Sequence, residues 1–155
     1  GTTYGYYGYY GGYYDKKPLT KEELDPRWAD LLCNYLAGSR VDNSFNTDAL
    51  MVLDRIEEDS ERVNYLITKA LTKSSAYTIE RLHRLIIKRN MPNKFEILYE
   101  SLAKMPKSNQ YYYRTIVEDD DFWKPFPKEY AQKFRELHEK TKYNIFEEIA
   151  KQIEK

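Results

Sequence analysis

Two histidines, one cysteine and one acidic run are the residues of this 155-residue chain whose types could do chemistry. His83 and His138 stand 55 positions apart, each on a helical pattern among charged neighbours. Each reads as a surface or half-buried structural side chain rather than a general base or ligand. Cys33 lies beside Leu31, Leu32 and Tyr35, where a small buried apolar residue is the expected role. No His or Asn is arranged nearby to activate it as a nucleophile, and a single cysteine cannot form an internal disulfide. The run Glu118-Asp119-Asp120-Asp121 offers the oxygen ligands that hard cations want. A calcium loop, however, also needs a glycine for its sharp turn and a distal glutamate at fixed spacing, and Phe122-Trp123 follow instead. A solvated turn, or an acidic patch facing a partner's lysines, accounts better for the run. With no glycine after Gly38, neither G-x-x-x-x-G-K nor G-x-G-x-x-G can be written, so no phosphate loop exists. The expectation is a chain with no catalytic residues, no cofactor, no metal and no direct nucleotide.

Charge narrows the partners. Lys plus Arg equals Asp plus Glu at 25 each, for a net charge of zero. Phosphate backbones are bound by accumulated cations that release counterions, and a neutral chain starts without that advantage. Low net charge also fails to keep molecules apart, which suits a component held in an assembly. The longest apolar runs, such as residues 49–53, are far too short to cross a bilayer, so direct membrane insertion is not expected. The chain begins with glycine rather than methionine, which fits either a trimmed chain or a mature form that has lost a targeting segment.

The elements that must position these residues are helices. Residues 1–15 form a Gly/Tyr-rich tail, "GTTYGYYGYYGGYY" plus Asp15, holding five of the six glycines. A polar connector covers 16–25, and a helical-hairpin domain covers 26–155. Asp25 followed by Pro26 makes a good cap and first helical residue. The patterns predict helices over 26–36, 47–57, 60–71, 77–88, 93–104, 109–117 and 128–155, the last with room for a break at 141–144. In the fourth, Ile79, Leu82, Leu85 and Ile86 trace one buried stripe; in the fifth, Phe95, Leu98 and Leu102 do so. No convincing strand is present outside the tail.

Sliding residues 45–71 forward by 32 places apolar positions on apolar positions: Phe45 on Tyr77, Leu50 on Leu82, Leu53 on Leu85, Val63 on Phe95, Leu66 on Leu98, Ile67 on Tyr99 and Ala70 on Leu102. A further shift of 34 matches Tyr77 with Tyr111, Ile79 with Tyr113 and Leu82 with Ile116. The insertion "EDDDFWKPFP" then delays the next helix, where Phe134 and Leu137 resemble Phe95 and Leu98. Matches across both helices at one offset point to an all-α, short array of antiparallel hairpins with a unit of about 32–35 residues. Within the insertion, Phe122, Trp123 and Phe126 either fold back to cap the repeat core or anchor a partner, since aromatic residues of this kind are frequent interface hot spots.

That unit length is shared by tetratricopeptide and pentatricopeptide repeats. The former wants small residues and a Trp-x-x-Leu-Gly pattern, which this glycine-poor region lacks. The stretch "FEILYESLAKMPKSNQYYYRTIV" resembles a pentatricopeptide second helix ending at Lys104-Met105, a Pro-x-x-Asn turn and the next first helix. With its mass of 18.6 kDa and zero net charge, the chain resembles the F1-associated accessory subunits of the mitochondrial ATP synthase of euglenozoan protists such as trypanosomes. The resemblance implies a non-catalytic subunit on the matrix side of the inner membrane, bound to the outside of an F1 alpha subunit. The alternative is a mitochondrial RNA-binding pentatricopeptide protein, for which the chain offers few repeats, no net positive charge and a local basic spot at Lys88 and Arg89.

The tail is expected to be a docking strap, with Tyr4, Tyr6, Tyr7, Tyr9, Tyr10, Tyr13 and Tyr14 laid on a neighbouring subunit and the glycines allowing close backbone approach. Deleting residues 1–14 should weaken attachment to the complex while leaving the helical circular-dichroism signal intact; unchanged attachment would count against the strap.

Overall fold

The structure is a computed structural model describing residues 60–72 and 76–155, together with Leu31, Ala49, Val52, Leu53 and Arg55. The tail tyrosines, the connector and Cys33 lie outside the described residues, as do most positions of the two helices expected over 26–36 and 47–57. Within them, Leu31, Ala49, Val52 and Leu53 are helical.

Among the described residues the chain is all-α, with seven α-helices and no strand. They are α1 (Ser60–Leu71), α2 (Ala76–Lys88), α3 (Lys94–Ala103), α4 (Gln110–Val117), α5 (Asp120–Trp123), α6 (Glu129–Thr141) and α7 (Asn144–Glu154). A 3₁₀ turn, Lys107–Asn109, leads into α4. The longer helices bury the stripes their spacing dictates. Tyr113, Ile116 and Val117 line the inner face of α4 at i, i+3, i+4. Ile145, Phe146, Ile149, Ala150 and Ile153 do the same for α7.

The helices stand in two rows. Helices α2 and α4 pack side by side, and α4 packs in turn on α7. In the other row α3 and α6 meet through rings, Tyr99 lying 5.2 Å from Phe134 and Phe95 6.2 Å from Tyr130, centroid to centroid. Burial follows the offset of 32: Leu53 and Leu85, Leu66 and Leu98, and Ala70 and Leu102 are all buried. One core cluster runs from Ala49 to Ile153.

Among the described residues the turns hold no glycine, so other residues take left-handed backbone. Asn90 (φ 52°) and Asn93 (φ 59°) bracket the α2–α3 turn, and asparagine is among the residues that tolerate this region best. Lys142 (φ 61°) ends α6, with the Thr141 hydroxyl donating to the Leu137 carbonyl at 2.8 Å. The segment 128–155 is therefore two helices. It is not one long second helix of the third unit, because α7 folds back to join the row of α2 and α4.

Candidate functional site

The insertion after α4 shows what its aromatic residues do. Asp119 caps α5, its carboxylate accepting from the Phe122 backbone N–H at 3.4 Å. Asp120 and Asp121 fill the first turn, where the helix dipole favours negative charge. This one-turn helix swings Phe122 and Trp123 inward. Phe122, Trp123 and Phe126 are 7%, 0% and 2% exposed. The Trp123 indole N–H donates to the Ile116 carbonyl at 2.8 Å. Its ring sits 5.0 Å from Phe126 and 6.2 Å from Phe134. Of the two roles open to these residues the structure has the fold-back cap; buried this deeply, they present no anchor to a partner.

The acidic run is neutralised from within the fold. Arg84 donates to Asp119 at 2.9 Å, Lys155 to Asp120 at 3.1 Å, Arg114 to Glu118 at 3.1 Å, and Lys124 pairs with Asp121 at 3.1 Å. The hydrogen bond from Arg84 holds the Asp119 carboxyl below its ordinary range, and that from Lys155 does the same for Asp120. Four paired carboxylates leave little for a metal, and among the described residues no cluster of three or more His, Cys, Asp or Glu is placed to hold one. Nor is any helix among them long and apolar enough to cross a membrane.

His83 departs from the sequence reading. It is fully buried rather than at or near the surface, and it bridges three helices. Nδ1 lies 2.6 Å from the Tyr113 hydroxyl on α4, and Nε2 lies 2.9 Å from Ser101 Oγ on α3. Burial lowers the imidazole pKa to about 3 and pushes the Tyr113 phenol well above its ordinary value. A histidine so hard to protonate is a poor general base despite its serine neighbour. Its place in the fold is a satisfied polar bridge. His138 is half-buried on α6, as expected.

Ser101 opens on a groove of 500 Å³ between α1 and α3, floored by Ile79 of α2 and closed at one end by Met105, Pro106 and Asn109. A second groove, of 680 Å³, lies between the acidic run and the end of α7, lined by lysines and the carboxylates they pair with.

Among the described residues three tyrosines face solvent: Tyr65 (61%), Tyr111 (79%) and Tyr112 (50%). Tyr111 and Tyr112 form an edge-on pair with centroids 5.4 Å apart. The repeat register places Tyr111 at an apolar position. It stands outside because the buried stripe of α4 starts at Tyr113, and that stripe was the signal that could have separated the three adjacent tyrosines. The basic spot is smaller than its composition suggests. The Arg89 guanidinium reaches inward to Asn64 Oδ1 at 2.9 Å and the Leu53 carbonyl at 3.4 Å.

Comparison of the chain with protein-family models, curated proteins and solved structures finds no match.

Proposed function

We propose that this chain is a non-catalytic accessory subunit of a mitochondrial assembly, the F1 sector of ATP synthase, held on the outside of the alpha subunit on the matrix side. The observation that carries the reading is the exposure of Tyr65, Tyr111 and Tyr112 on a fold that buries or half-buries Phe95, Tyr99, Tyr113, Phe122, Trp123, Phe126, Tyr130, Phe134, Tyr143 and Phe146. Exposed tyrosines combine a large apolar ring with a polar tip and recur at interface hot spots. Support also comes from the acidic run and His83, whose polar groups are committed to the fold. The resemblance to euglenozoan F1-associated subunits supplies the identity of the assembly.

Gentle native purification with mass spectrometry of co-purifying chains tests this directly: F1 subunits are expected, and recovery without any of them sinks the reading. Tyr111→Ala with Tyr112→Ala should weaken attachment at least about tenfold, on the order of a hot-spot loss. The unfolding midpoint should barely move, since exposed substitutions usually change stability by about 0.5 kcal/mol or less. The RNA-binding alternative predicts affinity that falls steeply between about 50 and 200 mM salt; the inward-turned Arg89 speaks against it.

A further inference from the structure

We infer that the groove between α1 and α3 is a binding site for a small amphipathic monocarboxylate, with Ser101 and Lys104 as its polar end. Apolar side chains, Leu71, Ile79, Ile97 and Met105, supply much of the lining, and the 500 Å³ volume falls within the usual range for small-molecule sites.

The polar end follows from hydrogen-bond accounting. Tyr113 is buried and stays protonated, and its hydroxyl has one partner among the described residues, His83 Nδ1. A neutral imidazole carries one acceptor and one donor nitrogen. If the phenol donates to Nδ1, Nε2 carries the hydrogen and donates to Ser101 Oγ across 2.9 Å. The Ser101 hydroxyl proton is then left unspent. The other two hydroxyls of the groove differ: Thr68 donates to the Asn64 carbonyl at 3.0 Å and Thr72 to the Lys69 carbonyl at 2.9 Å. Ser101 is thus the hydroxyl held ready to donate to an incoming oxygen.

Lys104 lies three residues on, adjacent on the same helix face, and the described residues give its ammonium no ion pair. One carboxylate can take a hydrogen bond from Ser101 and the charge of Lys104 together, a stronger pairing than a neutral carbonyl would make. Glu100 lies on the same rim and Lys104 is the one cation of the lining among the described residues, so a second carboxylate on the occupant would meet repulsion without a matching positive charge. Its apolar body would lie along Ile97, Ile79 and Leu71.

Octanoate is a suitable probe, titrated into the full ¹⁵N-labelled chain and followed by amide and imidazole shifts. Saturable shifts are expected at Ile97, Ser101, Lys104 and Asn109, with a shift at His83 Nε2 reporting the relay. Octylamine should give none of them. Ser101→Ala and Lys104→Met should each weaken octanoate binding about three- to tenfold, the loss of one hydrogen bond or charge. If Ser101→Ala does not fold, the exposed Lys104→Met and the octylamine comparison decide alone. The inference is overturned by an absence of saturable shifts up to about 1 mM, by shifts clustered elsewhere, by equal binding of octylamine, or by binding that Lys104→Met leaves unchanged.

Discussion

Trp123→Ala should lower the unfolding free energy by about 3–5 kcal/mol, the range for deleting a large buried aromatic side chain. The ring is fully buried and touches Phe122, Phe126 and Phe134, so truncation leaves a cavity bounded by stiff rings that close poorly around it. The α4–α5 corner also loses the indole bond to the Ile116 carbonyl. That carbonyl keeps a partner, the Asp119 N–H at 3.2 Å, which limits the polar part of the loss. Trp123→Phe retains most of the packing and should cost about 1–2 kcal/mol. Urea unfolding followed by circular dichroism distinguishes them. An Ala variant within about 1 kcal/mol of the parent would contradict the burial of this insertion.

The second large effect is in acid. His83 is neutral in the folded protein down to about pH 3, whereas an unfolded histidine takes a proton near its model value of 6.5. Between those values the unfolded state binds the extra proton, so stability rises with pH by about 1.4 kcal/mol per unit. The stability is at its plateau above pH 6.5 and falls progressively toward pH 3. Carboxylates with lowered pKa, Asp119 through Arg84 and Glu96 through its hydrogen bonds from Tyr130 and Lys133, add their own loss only in the more acidic part of this range. His83→Gln keeps polar atoms for Tyr113 and Ser101 but cannot titrate, so the slope between about pH 6.5 and 5 should shrink markedly. Denaturant midpoints at half-unit pH steps check this, and an undiminished slope in the variant would assign the acid sensitivity elsewhere.

What could be read from residue order divides by distance along the chain. Helix α1 was bounded correctly at Ser60 and Leu71, and α4 ended at Val117 as expected, because period and turn residues are local signals. The break between α6 and α7 was placed correctly at 141–144. The return of α7 to the opposite row was not legible, since the break uses Lys142 in left-handed backbone with no glycine or proline to announce it. Helix α5 has no signature in the sequence, four residues being too short for any periodicity. His83 was misplaced for a plainer reason. Its partners lie 18 and 30 residues away, and only the assembled fold brings Ser101 and Tyr113 to its two nitrogens. The groove is legible for the same reason only in three dimensions, as α1, α2 and α3 each contribute one wall.

The ring contacts that join α3 to α6 have an optical consequence. Phe95, Phe126, Tyr130, Tyr99 and Phe134 form a chain of neighbouring rings, and Trp123 touches two of its members. Tyrosine passes excitation to a nearby indole, so light absorbed by Tyr99 and Tyr130 should emerge largely as Trp123 emission. With Trp28, the other tryptophan, replaced by phenylalanine, that transferred emission becomes a gauge of how closely α3 and α6 sit. It would dim when they separate and hold steady when a partner merely covers Tyr111 and Tyr112.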